Sequence, residues 1–519
     1  MGVFNFKKGE YKTMQDSLDD KLYSIKKSIY TPFSKVHTNE IAFILILLLV
    51  CQPLYGIFTN SSTASSLIAT FYGKATIIRF IGIIGLLNGF IDYYCKRFIY
   101  RKKYWDKTFL KNSWTGLFAI LLIIAFLSAL FCAKKYEGFL GDAYRYEGFL
   151  SYLAYAGIFV SASLLNDEKE KKNILVILVS ISFVVAIVTM LRELAGFTFL
   201  MKTGGRVMAW SGTFINPNHY GYYLAVCMMV SVGLYQDVDK WYKKLIYGII
   251  FLTNNFVLAK NESYGPFLAI LFGFILYAVF YIIRNGFKES WYLLILFALF
   301  IGMSFLVNNK LANDIVKTFT EFLNISSSIG EGIGSGDMDE ALDGVEGGSG
   351  RFSLWKAAIK VMLKYPIFGC GPENIQYIIH NYGGTRMSIP HNEVLQIGAN
   401  MGIPAMLVYV TAMIWFGVVA IKNIKKLSNT ALIAGCAVAT YLASSLVGVS
   451  MTITTCFLFL VLGLTNSWFK ERNQEDLNRE LLESLNIGDI KKEETTEEPE
   501  ETKAVEETKD EEISIENTI

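Results

Sequence analysis

Residues 290–307 read Ser290-Trp291-Tyr292-Leu293-Leu294-Ile295-Leu296-Phe297-Ala298-Leu299-Phe300-Ile301-Gly302-Met303-Ser304-Phe305-Leu306-Val307, without one charged side chain. As a helix, a run of this length nearly crosses a hydrocarbon core of about 30 Å, and water offers no comparable reason to keep it apolar. Similar runs lie on both sides of it. Upstream they cover 39–59, 75–95, 113–133, 148–165, 173–192, 219–236, 245–260 and 264–283; downstream they cover 391–418, 430–448 and 450–468. The chain is 53% apolar and only 18% charged, with a mean hydropathy of +0.37. This composition argues against a soluble enzyme, a disordered chain and a basic nucleic-acid binder. The reading is an all-α polytopic membrane protein with about twelve transmembrane helices.

The formal net charge of +2 conceals a division. Residues 471–519 carry 18 acidic and 6 basic side chains, a net of −12, which leaves +14 for residues 1–470. Three regions follow: a cytoplasmic N-terminal segment 1–38, a transmembrane domain 39–470, and an acidic cytoplasmic tail 471–519. The tail carries too little apolar bulk to fold and is expected to be mostly disordered. The first apolar run follows seven lysines and has no small-residue cleavage site after it, so it reads as a retained span. None of the seven cysteines is spaced CxxC, which argues against a zinc site or a disulfide scaffold.

Basic residues of short loops orient a membrane chain. With the N-terminus inside, inner loops hold 18 Lys and Arg and outer short loops hold 8, so both termini are expected in the cytoplasm. The long segment 308–390 then lies outside. Its Gly330–Gly350 stretch has eight glycines, six acids and no basic residue, a composition that permits a lid. From Arg351 the apolar spacing predicts an amphipathic helix that stops at Pro366 and the Gly369-Cys370-Gly371 turn. A second short helix is expected from Pro372 to about His380, both at the outer membrane surface.

Of four histidines, His219, His380 and His391 fall on the outer side, and His37 does not. Three polar sequences gather on that face: Arg145-Tyr146-Glu147, Asn216-Pro217-Asn218-His219, and Pro390-His391-Asn392. Arg206 and Arg351 join them. Guanidinium forks match phosphate oxygens, and helix N-termini favour anions. A neutral histidine beside them accepts a proton from a hydroxyl. The set suits glycosyl transfer from a lipid diphosphate. Each residue also has a plainer reading. His391 with Asn392 starts a helix, His219 and the two asparagines shape a turn, Arg145 pairs with Glu147, and an interfacial arginine reaches headgroups. His380 reads as a surface residue. Asp337-Met338-Asp339 matches a DxD metal signature, yet it sits in an acidic, Gly-rich stretch that solvation explains.

Gly212-Thr213-Phe214-Ile215-Asn216-Pro217-Asn218, the Arg351 helix ending in Pro366, Gly369 and Gly371, Pro390-His391-Asn392 followed by Gly402-Ile403-Pro404, and Arg145-Tyr146-Glu147-Gly148 with Tyr152 and Tyr155 together resemble the O-antigen ligase and polymerase superfamily. The resemblance runs from about residue 40 to 468. It implies an undecaprenyl-diphosphate glycan donor and metal-independent inverting transfer to a hydroxyl, without a cofactor, at the outer face of the cytoplasmic membrane. The implied partners are the lipid-linked donor, a glycan or other hydroxyl acceptor, the bilayer and polysaccharide-assembly proteins. It makes His391 the catalytic histidine. Arg206 and Arg351, with Arg145, hold the diphosphate, and Glu147, Asn216, Asn218, His219 and Asn392 shape the site. One departure stands out: Glu262-Ser263-Tyr264-Gly265 lacks the arginine many members carry there, with Lys260 as the nearest substitute. The rival reading is a transporter or flippase of lipid-linked oligosaccharide, which predicts midplane charges and internal repeats.

Overall fold

The computed structural model describes residues 39–57, 64–100, 115–165, 167–197, 209–313, 315–316, 320, 351–385 and 387–467. These lie in the first of two compact units, Met1–Phe469. The described secondary structure is helical, with no strand among the described residues. In chain order the helices are α1 (Asn39–Ile57), α2 (Ala64–Tyr100), α3 (Thr115–Phe131), α4 (Lys135–Leu140), α5 (Phe149–Leu164), α6 (Glu168–Ala195), α7 (Pro217–Gln236) and α8 (Trp241–Asn261). They continue as α9 (Tyr264–Asn285), α10 (Trp291–Val307), α11 (Arg351–Lys364), α12 (Ile375–Ile378), α13 (Glu393–Met401), α14 (Ile403–Lys422), α15 (Asn429–Ser445) and α16 (Thr452–Ser467).

Six segments are long and apolar enough to cross a membrane: Asn39–Ile57, Ile68–Asp92, Glu168–Ala195, Tyr264–Asn285, Phe287–Val307 and Ile403–Lys422. Three shorter apolar helices, α3, α5 and α16, stand beside them. Helices α7, α8 and α15 occupy the other expected positions. Local chemistry sets several of the ends. Asp167 caps α6 by accepting from the Lys169 N–H at 2.8 Å, and Gly196 closes it in the left-handed region. Ser428 caps α15 through the Ala431 N–H.

The helices depart from the expected spans at two places that shape the polar end of the bundle. The run 391–418 is two helices. Gly402 separates α13 from α14 at φ 92°, and a Cβ there would fall 2.2 Å from the Ile367 carbonyl oxygen. The Ile403 N–H donates to the Pro366 carbonyl at 2.8 Å, so the break is held by the segment that follows α11. Helix α2 also begins well before residue 75, which moves Lys74 out of a loop and into the helix, where it is fully buried.

The core sits around α7, which packs against α6, α8, α9 and α15 and is buried along nearly its whole length. Helices α2 and α5 meet through glycine: a Cβ on Gly157 would lie 1.7 Å from the Gly82 carbonyl oxygen. Small residues let helix backbones approach in this way inside a membrane. Aromatic residues serve both the rim and the core, where Phe214, Phe251, Phe274 and Phe300 are buried. Phe43, Phe80, Phe90 and Phe131 are exposed on the rim, as expected of lipid-facing rings. Tyr155, Tyr222, Tyr409 and Tyr441 are buried too, and each hydroxyl finds a polar partner inside the bundle. Tyr222, for example, donates to the Ser444 carbonyl at 2.7 Å.

Helix α11 forms as expected. It buries Leu354, Ala357, Ala358, Val361 and Met362 in a small second core beside α13, and it exposes Ile359 and Leu363. The second expected helix is shorter, α12 followed by a 3-10 turn to Tyr382, and His380 is exposed.

Candidate functional site

The turn between α4 and α5 carries Arg145 and Glu147. Arg145 does not pair with Glu147. Its Nε donates to Glu373 Oε1 at 3.1 Å, and its guanidinium also donates to Gln376 Oε1. Glu373 Oε2 accepts the Asp142 N–H at 3.3 Å, and the Tyr377 hydroxyl donates to Asp142 Oδ1 at 3.1 Å. The turn is therefore tied to α12 and the residue Glu373 just before it, which are remote in sequence. From α2, Arg79 donates to the carbonyls of Leu140 and Tyr146 and to Ser151 Oγ. Tyr146 sits at φ 54°, a left-handed conformation that costs a non-glycine residue energy and needs such support.

Glu147 is 1% exposed. It accepts from Ser450 Oγ, from the Tyr155 hydroxyl at 2.6 Å and from Thr452 Oγ1 at 3.1 Å. Burial pushes its carboxyl up to about 7, and the three hydroxyl donors only partly oppose this.

The Gly212–Phe214 turn leads into α7. Asn216 is the N-cap and accepts from the Asn218 N–H at 2.9 Å, with Pro217 opening the helix. Asn261 Nδ2 fastens this turn by donating to the carbonyls of Trp210 and Pro217. Beneath it, Lys74 Nζ lies 3.5 Å from Thr213 Oγ1 and 4.6 Å from the centre of the Phe214 ring. His219 stands in the first turn of α7 with a buried Nδ1 that lacks a partner among the described residues, within electrostatic reach of Arg145 and His391.

His391 precedes α13 at φ 51°. Asn392 caps that helix: its Oδ1 accepts the Leu395 N–H at 3.0 Å, and its Nδ2 donates to the Leu446 carbonyl at 3.0 Å. Arg351 opens α11, and its charge and that of Arg145 both act on His391. Burial first, then Arg351, then Arg145, push the imidazole down to about 4. Glu393, the first residue of α13, is 2% exposed and accepts from the Tyr409 hydroxyl at 3.2 Å.

One end of the helical bundle thus brings together Arg145, Glu147, Asn216, Asn218, His219, Arg351, His391 and Asn392. Arg206, Asp337, Asp339, the Gly330–Gly350 stretch, His37, the segment 1–38 and the acidic tail lie outside the described residues. The sequence pattern does not single out Arg79, Lys74, Glu373 or Glu393 as site residues. Arg79 and Lys74 are hidden by their place in or beside an apolar window. Glu373 lies just after the Gly369-Cys370-Gly371 turn and Glu393 directly after Pro390-His391-Asn392, and that adjacency is the available signal. Among the described residues no group of three or more His, Cys, Asp or Glu side chains is placed to hold a metal ion.

No curated protein matches this chain. Residues 248–410 match the family described as O-Antigen ligase. The match takes in Arg351, His391, Asn392 and Glu393, while Arg145, Glu147 and the Asn216–His219 turn precede it. With apolar helices around a polar site at one end, the chain is a multi-pass membrane protein, and the stretch of it that carries Arg351 and His391 is similar to the O-antigen ligase family, glycosyltransferase-type enzymes of surface polysaccharide biosynthesis.

Proposed function

We propose that the protein transfers a glycan from a polyprenyl diphosphate, of the undecaprenyl type, to a hydroxyl acceptor at the outer face of the cytoplasmic membrane, as a polysaccharide polymerase or ligase. The observation that carries this is His391, held between the fields of Arg351 and Arg145 and committed to no hydrogen bond among the described residues. A lowered imidazole is neutral at physiological pH and so is able to take a proton. The acceptor hydroxyl gives its proton to His391 as its oxygen attacks the anomeric carbon. The bond from that carbon to the diphosphate oxygen breaks, and the leaving charge falls to Arg351 and Arg206. Arg145, held by Glu373 and Gln376, contributes from a fixed position. Direct attack inverts the anomeric centre, and this scheme draws on no metal or cofactor.

The pH profile tests the scheme. The free protein's imidazole charges only near pH 4, so kcat/KM for the lipid-linked donor is expected to show no His391 limb between pH 7 and about pH 5.5. Bound diphosphate offsets the two arginines and favours the imidazolium, so the acid limb of kcat is expected at higher pH than that of kcat/KM. A kcat/KM limb centred near 6.5, the ordinary histidine value, contradicts the arrangement.

The outer-face placement has its own test. A reporter fused after residue 345 is expected to score as external, and a cytoplasmic score removes the site from the face where this donor is used. The transporter reading gains little from the buried charges. Lys74 lies toward the start of the Ile68–Asp92 span, and Arg79, near its middle, is bound to the Leu140 and Tyr146 carbonyls and to Ser151.

A further inference from the structure

We propose that the end of the bundle opposite the candidate site holds one anionic phospholipid, with an acyl chain in an apolar groove between α9, α14 and α15 and its phosphate on Arg284 and the lysines that follow α14. The inference makes no use of the reading of His391 and stands or falls apart from it.

Helix α14 packs on α3 and α13, while α9 packs on α7 and α15. Between these two sets lies a groove of about 260 Å³. Its lining carries no charged residue, and its one hydroxyl, on Thr465, is spent on the Val461 carbonyl of the same helix. An apolar cavity of roughly 150 Å³ takes benzene, so this one has room for a stretch of hydrocarbon chain. Phe272 and Ile421, which line it, are exposed, while Leu432 and Cys436 at its base are buried, so the groove opens sideways to the bilayer.

Two glycines keep it open. Gly417 of α14 and Gly435 of α15 both line it. A Cβ on Gly417 would meet nothing within 4 Å, and one on Gly435 would meet only the Phe416 ring at 3.8 Å. Glycine inside a helix is destabilising against alanine, and close approach of a neighbouring helix is the usual compensation in a membrane. Here no neighbour comes close. The missing side chains leave space for something the chain itself does not supply.

Cations stand at the mouth. Leu276 and Phe280 line the groove, and Arg284 follows at the same four-residue spacing on that face of α9. Arg284 is half-buried, and its Nη1 is buried without a hydrogen-bond partner among the described residues. A buried guanidinium nitrogen calls for an acceptor. On the other wall Lys422 follows Ile421, and Lys425 and Lys426 precede Leu427; Ile421 and Leu427 both line the groove. These lysines are exposed and make no ion pair among the described residues. The acids that reach the start of α15 are spent, since Glu168 pairs with Lys171 and Asp237 with Lys172. An apolar groove ending in four cations fits an anion joined to a hydrocarbon chain, and basic pockets between spans take lipid phosphates in this way. Helix α14 starts beside α13 and ends at Lys422, so the mouth lies in the leaflet away from the candidate site, the cytoplasmic one in the proposed orientation. The lipid-linked donor presents its diphosphate at the other end, which favours a phospholipid over the donor as occupant.

The experiment is native mass spectrometry of the full chain, stripped of lipid in detergent and titrated with phosphatidylglycerol, with phosphatidylcholine of the same chains, or with a polyprenyl phosphate. The natural protein is expected to retain one phosphatidylglycerol about tenfold more tightly than phosphatidylcholine. In Arg284→Gln that ratio is expected to fall toward one. In Gly417→Leu, whose new side chain enters open space, retention of either phospholipid is expected to be lost. Phosphatidylglycerol is also expected to raise the unfolding temperature of the natural protein and to leave that of Gly417→Leu unchanged, with a cooperative transition of the lipid-free variant showing that it is folded. Equal retention of the two phospholipids by the natural protein overturns the proposal, as does an unchanged ratio in Arg284→Gln or unchanged retention in Gly417→Leu. Polyprenyl phosphate that displaces phosphatidylglycerol, and that Gly417→Leu no longer holds, gives the groove to the donor's tail instead. None of these results depends on whether His391→Ala transfers glycan.

Discussion

Replacing His391 with alanine is expected to lower glycan transfer by about a hundred- to ten-thousand-fold, the usual contribution of a general base. The side chain makes no hydrogen bond that holds the fold among the described residues, and alanine relieves none of the helix capping, which belongs to Asn392. The variant is therefore expected to reach the membrane in natural amount. The measurement is the size profile of surface glycan in cells lacking the protein, complemented with either form. Glycan that collapses to single units marks a polymerase, and glycan that stays on its lipid marks a ligase. A normal profile from His391→Ala removes the base from the scheme and moves transport or scaffolding ahead of it.

Arg351→Ala is expected to cost about a hundred- to a thousand-fold in kcat, the range found when one donor to a developing oxyanion is removed. Arg351→Lys is expected to recover only part of this, because an ammonium is a point charge and does not reproduce the two-pronged guanidinium contact. A second effect separates this role from general damage. Arg351 is the larger of the two charges that hold the His391 imidazole down. Removing a neighbouring cation favours the charged imidazolium, so the acid limb of kcat/KM is expected to move up toward the ordinary histidine value. Loss of rate without that movement separates Arg351 from His391.

Legibility differs from residue to residue. Asn216 and Asn392 are readable because capping is local: a side-chain oxygen meets an N–H two or three positions on, and Pro217 or a following apolar run marks the place. Helix α11 is readable for the same reason, from its apolar spacing and its stop at Pro366. Gly402 belongs to the Gly402-Ile403-Pro404 motif, yet the run around it still reads as one span. The clash that forbids a side chain there comes from Ile367, far upstream of it in the chain. Arg145 beside Glu147 invites a local ion pair. The fold instead gives Arg145 to Glu373 and buries Glu147 among hydroxyls.

By itself the sequence determined that the chain enters a membrane many times and where several helices begin and end, and it marked His391, Arg351 and Arg145 as candidates for one site. Those properties follow from composition, period and short-range bonding, which act over a few residues. Only the tertiary structure decided which charge neutralises which, that Lys74 is buried under the Gly212–Phe214 turn and Arg79 holds the turn before α5, and that Glu147 and Glu393 are buried. A buried charge must find its partner wherever the packed helices bring one, and that partner's position in the chain carries no local mark.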